Sequence, residues 1–426
     1  LIFVFSYKTA LKVVNDKALA FVAALSPLWF YYVGWDAALS YSHTVLAASL
    51  IVINLYVLLC LKDNDSVFLY LLFGIIIGLG ILSKYTFVFF ILSALTASIC
   101  SPLMRRHLNL SLLIMSVFVA SVIVLPHGVW LMQNIDTVGP AISQKFNISG
   151  ASSFFAARLT GFKSILISFI GFLSPLWIIL CIFFWRQIQE EIKRSGGKGV
   201  YVEFFKIYFL VLGVLLLALL VAFGFSKFRA HYFFVLIPAP IAFFAWLKPR
   251  LNLPEDVSYY GYSLVFAVFL CGGGMVVKYY TEPLRCSLCQ LLVPYPTLGV
   301  FFKNIGFKDG TVFAHYHPHD LAGNFRSLFP KAQIVSTKFP NLVDRNKKTG
   351  GQCLIVWTPK PQGSMNGLGM AHLLNKKLGG NLPIREWSRN QNKVPEVSHD
   401  YIFDRSKNKL SKISYIFLKE GSGYCK

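Results

Sequence analysis

Gly74-Ile-Ile-Ile-Gly78-Leu-Gly80-Ile-Leu-Ser83-Lys84-Tyr85-Thr86-Phe87-Val88-Phe89-Phe90 is the stretch on which the fold turns. A lysine here separates two apolar runs, each nearly long enough to cross a bilayer. An ammonium at mid-membrane costs several kcal/mol, roughly 2.5–3.5 on insertion scales. Either Lys84 lies at a turn between two spans, at the water–lipid boundary, or it is buried in one long helix beside an anion. The distance from Val67 to Cys100 exceeds the roughly 20 residues of a single span, so the turn reading stands. A lysine that only snorkels to the headgroups is the ordinary alternative. The rest of the chain has to decide between the two.

The 426 residues are 55% hydrophobic and only 14% charged, with a mean hydropathy of +0.57. With repeated long apolar runs, those values indicate a polytopic membrane protein. Thirty-nine Phe and twenty Tyr suit lipid-facing helices and aromatic belts. The formal net charge of +22 raises the question of nucleic acid. The basic residues, however, sit in short loops and in the tail, and no basic stripe interleaved with aromatics marks a nucleic-acid surface. The first residue is Leu, and no signal-peptide pattern opens the chain. The expectation is that the sequence lacks its true N-terminus.

Nine apolar spans are expected, near 18–35, 43–61, 67–83, 86–103, 111–130, 164–185, 204–225, 231–247 and 257–278. Lys62, Arg105-Arg106, the Arg186/Lys193/Arg194/Lys198 group and Lys248/Arg250 fall in alternate loops. The bias of basic residues toward the cytoplasm puts all four loops inside. Asp36, Lys84, His127, Lys227, Arg229 and His231 then share the outer face. Scattered snorkelling would spread such residues over both faces, whereas one outward polar site would not. After about residue 280 the patterning changes. Strands are expected at 311–316, 333–336, 353–357 and 414–418, with helices at 320–329 and 368–378. The organisation is therefore a transmembrane domain over 1–280 and a small extracytoplasmic α/β domain over 281–426.

Ser226-Lys227-Phe228-Arg229-Ala230-His231-Tyr232 offers three potential cations in five residues at a lipid interface. Arg supplies a bidentate fork and Lys a point charge, which suits a phosphate headgroup. Asp36 at the top of the first span either binds a hydroxyl, pairs with a cation, acts as a base, or caps the next helix. Pro126-His127-Gly128-Val129-Trp130 joins an imidazole to an aromatic anchor, and Tyr85 follows Lys84. His315-Tyr-His317-Pro-His319-Asp320 resembles a metal site in composition, yet Pro318 breaks the strand and no H-E-x-x-H pattern follows. No metal ligands are assigned. Cys286-Ser-Leu-Cys289, Cys353 and Cys425 leave room for one or two disulfides, and Asn147-Ile-Ser149 is a formal glycosylation sequon.

On these residues the chain resembles the polyprenyl-phosphate-sugar-dependent membrane glycosyltransferases of the protein-mannosyltransferase-like kind, related to the lipid A aminoarabinose transferase. Leu25-Ser-Pro-Leu-Trp29, Gly78-Leu-Gly-Ile-Leu-Ser-Lys-Tyr-Thr86, Pro126-His-Gly-Val-Trp130 with Asn134, and Lys227-Phe-Arg-Ala-His-Tyr232 carry the resemblance. In the tail, Leu321-Ala-Gly-Asn-Phe-Arg326 and Gly351-Gln-Cys-Leu-Ile-Val-Trp357 extend it. The resemblance implies a C-type helix bundle with a soluble cap, in a multi-pass protein of the cell inner membrane. It implies a polyprenyl-phosphate-linked sugar donor, a lipid, glycan or protein acceptor, and transfer outside the cytoplasm. No cofactor is assigned from the sequence, which leaves a divalent metal open. An acidic general base is implied in the first outer loop, which would precede Leu1, so Asp36 is not promoted to that role. Substrate binding falls to Lys84, Tyr85, Lys227, Arg229, His231, Asp36 and His127. The rival readings are a transporter or flippase of an anionic lipid, and a catalytically incomplete piece of a transferase. No internal repeat of the transporter kind is visible.

Overall fold

The computed structural model describes residues 1–37, 43–136, 138–139, 154–194, 199–223, 225, 227–285, 293–315, 321–336, 351–358, 396–400 and 410–418. The chain divides into two compact units, Leu1–Met275 and Val276–Lys426.

The first unit is helical. It opens with α1 (Ile2–Val14) and α2 (Lys17–Leu25), separated by Asn15, which takes the left-handed conformation at φ 47°. Asp16 then caps α2 by accepting a hydrogen bond from the backbone of Leu19 at 2.7 Å. Next come α3 (His43–Leu61), α4 (Val67–Ser83), α5 (Phe87–Cys100), the single turn α6 (Pro102–Arg105) and α7 (Leu110–Gln133). They are followed by α8 (Phe154–Leu173), α9 (Leu176–Lys193), α10 (Val200–Phe223), α11 (Ala239–Leu247) and α12 (Leu253–Arg285). Among the described residues, five helices are long and apolar enough to cross a membrane, six if a bent pair counts as one span. They are α3, α7, α8, α10 and α12, within three residues at their ends. Large apolar side chains such as Phe118, Ile182 and Phe269 are exposed on the outside of the bundle, as lipid-facing positions are.

Three expected spans are built differently. Over 164–185 the chain is not one helix: it breaks at Ser174–Pro175 between α8 and α9, because proline lacks an N–H and disfavours helix in the residue before it. The freed backbone is used, since the Ser174 carbonyl accepts from the Tyr31 amide at 3.3 Å. Over 18–35, α2 gives way to a 3₁₀ turn at Ser26–Trp29 and a π-helical turn at Tyr32–Asp36. Over 231–247, a 3₁₀ segment Ala230–Leu236 meets the following helix at a 45° bend, where Pro238 interrupts the ladder. The runs 67–83 and 86–103 become α4 and α5, of 17 and 14 residues, with Lys84–Thr86 forming the turn between them. That is the turn reading of Lys84.

The bundle holds together at small residues. A Cβ added to Gly74 on α4 would lie 2.4 Å from the backbone oxygen of Ser116 on α7, and one at Gly78 would lie 2.8 Å from Ile123. Helices in lipid gain nothing from apolar burial against each other, so close backbone approach and interhelical hydrogen bonds supply the attraction. Ser116 donates its hydroxyl to the Tyr70 carbonyl at 2.7 Å, and the Tyr70 hydroxyl accepts from the Asn109 amide at 2.8 Å. The helix α3 is the most enclosed of the five long ones, with 67% of its apolar window buried.

The second unit contains a five-stranded sheet in the order β2-β1-β3-β5-β4. The strands are β1 (Thr311–Ala314), β2 (Gln333–Ser336), β3 (Cys353–Trp357), β4 (Glu396–Asp400) and β5 (Leu410–Leu418). The first three are parallel, and β5 pairs antiparallel with both β3 and β4. Helices α13 (Tyr295–Asn304) and α14 (Leu321–Leu328) bury Leu298, Phe302 and Phe325 in one core with Val312, Leu354 and Val356. Alternation along β1 and β3 puts those strand residues on one face. Strand β4 was not expected from the sequence, and β1 ends before His315. The helix expected at 368–378 lies outside the described residues, as do His317, His319, Asp320, Cys286, Cys289, Cys425 and the sequon at Asn147.

Gly74→Ala should destabilise the protein in detergent by about 1–3 kcal/mol, the usual cost of overpacking. Gly213→Ala, whose added Cβ meets nothing within 4 Å, should be neutral or stabilising by up to ~1 kcal/mol through helix propensity. Thermal unfolding of the two purified variants checks the contrast.

Candidate functional site

Lys84 follows the last residue of α4, in extended backbone. Ser83 donates its hydroxyl to the Gly80 carbonyl at 2.7 Å and so closes the helix end. From there the lysine reaches across the bundle. Its Nζ donates to the Thr44 hydroxyl at 3.0 Å and to the His231 carbonyl at 2.7 Å. It also lies 5.2 Å from the ring centre of Tyr232 and 4.8 Å from that of Phe234. Two oxygen acceptors and two aromatic faces compensate the partial desolvation of the ammonium. The first turn of α3 and the 230–236 segment are thereby tied to the α4–α5 turn.

Beside this seat is a cavity of about 300 Å³ lined by Tyr32, His43, Thr44, Phe172, His231 and Phe234, with apolar residues including Ile2 completing the wall. Its polar groups are two imidazoles, a phenol and a hydroxyl, set against an apolar floor. Small-molecule sites share that composition, in which a few polar groups orient a ligand held by apolar surface. Tyr32 is stacked on Phe172 and packs against the His231 ring, both at 6.0 Å between centroids.

The segment carrying Lys227 and Arg229 is anchored between them. The Phe228 amide donates to the Ser164 hydroxyl at 2.8 Å, and its carbonyl accepts from Ser164 and Ser168 at 3.1 Å. Phe228 is buried, while Lys227 and Arg229 on either side are exposed. Pinning one residue by both backbone groups fixes where its charged neighbours start.

The structure brings Lys84 and His231 together, with Arg229 two residues before the carbonyl that Lys84 engages. Asp36 ends the π-helical turn next to Ala37, which lines the same cavity. Tyr85 and His127 belong to a separate cluster: they share a hydrogen bond of 2.6 Å and stack, and His127 stacks in turn on Trp130. Among the described residues no group of three or more His, Cys, Asp or Glu is placed to hold a metal. Sequence reasoning missed Tyr32, His43 and Thr44. The signal was present in Ser42-His43-Thr44, a polar triplet opening an otherwise apolar span on the expected outer face.

Comparison with known proteins gives these residues a context. Residues 1–130 match the dolichyl-phosphate-mannose-protein mannosyltransferase family, a stretch that includes Tyr32, His43, Thr44, Lys84 and His127. The chain is 29% identical over 383 residues to the lipopolysaccharide core galacturonosyltransferase RgtB of Rhizobium johnstonii, covering 88% of this chain and 75% of that one. It is 25% identical over 365 residues to galacturonosyltransferase RgtA of the same organism, covering 82% and 69%. No solved structure matches it significantly. The chain is a multi-pass membrane glycosyltransferase related to these enzymes.

Thr44→Val keeps the side chain's volume but removes the hydroxyl that receives Lys84. It should destabilise the protein by about 1–2 kcal/mol, within the range for a hydrogen bond to a charged group. Thr44→Ser should recover most of the loss. Thermal unfolding of the three proteins in one detergent measures both effects.

Proposed function

We propose that this glycosyltransferase takes its sugar from a polyprenyl-phosphate-linked donor and transfers it to an acceptor at the outer face of the cell inner membrane. One observation carries the reading: a lysine held by two oxygens and two rings on the rim of a sugar-sized cavity, next to the segment bearing Lys227 and Arg229. Cations bordering an apolar-floored cavity suit a lipid phosphate that is joined to a sugar. The reaction needs the acceptor hydroxyl oxygen to attack the anomeric carbon. The bond from that carbon to the phosphate oxygen breaks, and the electron pair leaves with the polyprenyl phosphate. Lys84, Lys227 and Arg229 stabilise the charge that grows on the phosphate, and the proton of the hydroxyl passes to a general base.

The relatives' names extend the proposal to a hexuronic acid donor and a lipopolysaccharide core acceptor. His43 and His231 are then the groups that receive the sugar carboxylate. The Tyr85–His127–Trp130 stack offers flat faces for the sugars of the acceptor. Placement of the second unit outside the cytoplasm is supported by Cys353, which is disulfide-bonded, since disulfides persist in oxidising compartments. Among the described residues the free thiols are Cys60, Cys100, Cys181 and Cys271, which lie in the first unit.

Incubating membranes with labelled polyprenyl-phosphate uronic acid and core acceptor tests the whole reading. Transfer of label to the acceptor is expected, and movement of the donor across the bilayer without product would favour a transporter instead. Lys84→Ala and Arg229→Ala should each lower transfer efficiency roughly ten- to hundredfold, the worth of a charge-assisted contact. Lys407→Ala should have little effect. Arg229→Lys should restore only part of the activity, because the bidentate fork is lost. If both cations hold one phosphate, the double variant will lose less than the summed single losses. Unchanged transfer by Lys84→Ala would remove the lysine from the site.

A further inference from the structure

A second feature of the first unit adjoins the proposed reaction centre and runs on from it: Leu173 and Ala239 line the groove, while Phe172 and Ile237 line the cavity. Helices α9, α10 and α11 enclose a groove of about 340 Å³ whose lining is almost wholly apolar, including Trp177, Leu180, Phe205, Phe209, Phe243 and Trp246. One charged residue, Lys206, also lines it. Trp177 is 45% exposed and Lys206 is exposed, so the groove opens on the outside of the bundle. There the solvent is lipid, and an apolar groove of this width takes a hydrocarbon chain.

Lys206 makes the groove selective. Phe223, at the other end of α10, is seventeen residues further on, which is about 25 Å at 1.5 Å per residue. Lys227 is four residues beyond Phe223. The Lys206 end of the groove therefore lies toward the opposite membrane leaflet from the Lys227–His231 segment, near the end of the bundle where Lys62 donates to the Tyr201 hydroxyl at 3.2 Å and where Lys248 and Arg250 follow α11. Glu191 neutralises Arg250 through an ion pair of 2.8 Å, and Lys248 donates to the Val14 carbonyl. Glu203, one turn before Lys206, does not line the groove. Lys206 is the charged residue in the lining, and a lysine so placed can lay its stem along the apolar wall while its ammonium rises toward the headgroup layer.

We propose that the groove between α9, α10 and α11 is a binding site for an anionic phospholipid, with an acyl chain against Trp177, Phe205, Phe243 and Trp246 and the phosphate on Lys206. What sets the lipid apart from the donor is its phosphate, placed on Lys206 about 25 Å along α10 from the end that leads to Arg229. It wedges three helices of which one, α9, begins at the break at Pro175.

Fluorescence quenching tests this directly. The full chain is reconstituted in phosphatidylcholine bilayers, and phosphatidylglycerol with brominated acyl chains is titrated in. A parallel titration uses brominated phosphatidylcholine. Comparison with the Trp177→Phe/Trp246→Phe double variant isolates the groove signal. Half-quenching is expected at a mole fraction roughly fivefold lower for the anionic lipid, the size of effect one lysine produces near a membrane surface. Lys206→Gln should abolish that preference while leaving quenching by the neutral lipid unchanged, which shows the groove intact. Lys206→Arg should keep it. Equal quenching by the two lipids, or a preference that survives Lys206→Gln, overturns the proposal.

Discussion

A cation at the boundary of a bilayer has to be compensated, and the seat of Lys84 is how this protein does it. Thr44, the His231 carbonyl, Tyr232 and Phe234 come from two elements far apart in sequence. Satisfying one ammonium therefore draws the start of α3, the α4–α5 turn and the 230–236 segment to a common point. The cavity with its two imidazoles exists because those three elements converge there. Removing the lysine would leave a carbonyl and a hydroxyl without their charged donor, so the site's stability and its electrostatics rest on the same contact.

Irregular backbone serves the same end. The π-helical turn at Tyr32–Asp36, the break at Pro175 and the 3₁₀ segment at Ala230–Leu236 all lie around this region. Non-helical backbone within a membrane is costly unless protein or a cavity satisfies its polar groups. Here the Ser174 carbonyl takes the Tyr31 amide, and Ser164 and Ser168 hold Phe228. The regular helices around them do the plainer work. Their contacts are made through glycine, serine and single interhelical hydrogen bonds, and Gly74 against Ser116 is one of these.

Two membrane-embedded features follow from neighbouring elements of one bundle. The cavity with its two imidazoles is bounded by α3, α8 and the 230–236 segment, and the occupant proposed for it is a sugar phosphate. The apolar groove is bounded by α9, α10 and α11, and its partner chemistry is that of a lipid chain. Continuity runs through α10, which leads from Lys206 at one end to the anchored Phe228 just beyond the other.

The order of apolar runs, read alone, determined that this is a polytopic helical membrane protein, that Lys84 stands at a turn, and that a mixed sheet and helix region follows. Those conclusions depend on local quantities: the length of a hydrophobic run, the cost of a buried ammonium, and the alternation along a strand. It also drew Lys84 and His231 to one face, because loop charge alone assigns sides. It did not separate Tyr85 and His127 from that group, nor find Tyr32, His43 and Thr44, because which residues on one face touch is set by helix rotation and crossing. The break at Pro175 was missed for a related reason, since a proline in an apolar run reads equally as a kink or as a boundary until a neighbour accepts the freed backbone. Gly74 and Gly78 stood in the quoted stretch as spacing within a span. Only their approach to Ser116 and Ile123 made them the contact surface of α4, for a glycine's role depends on what lies opposite the missing side chain.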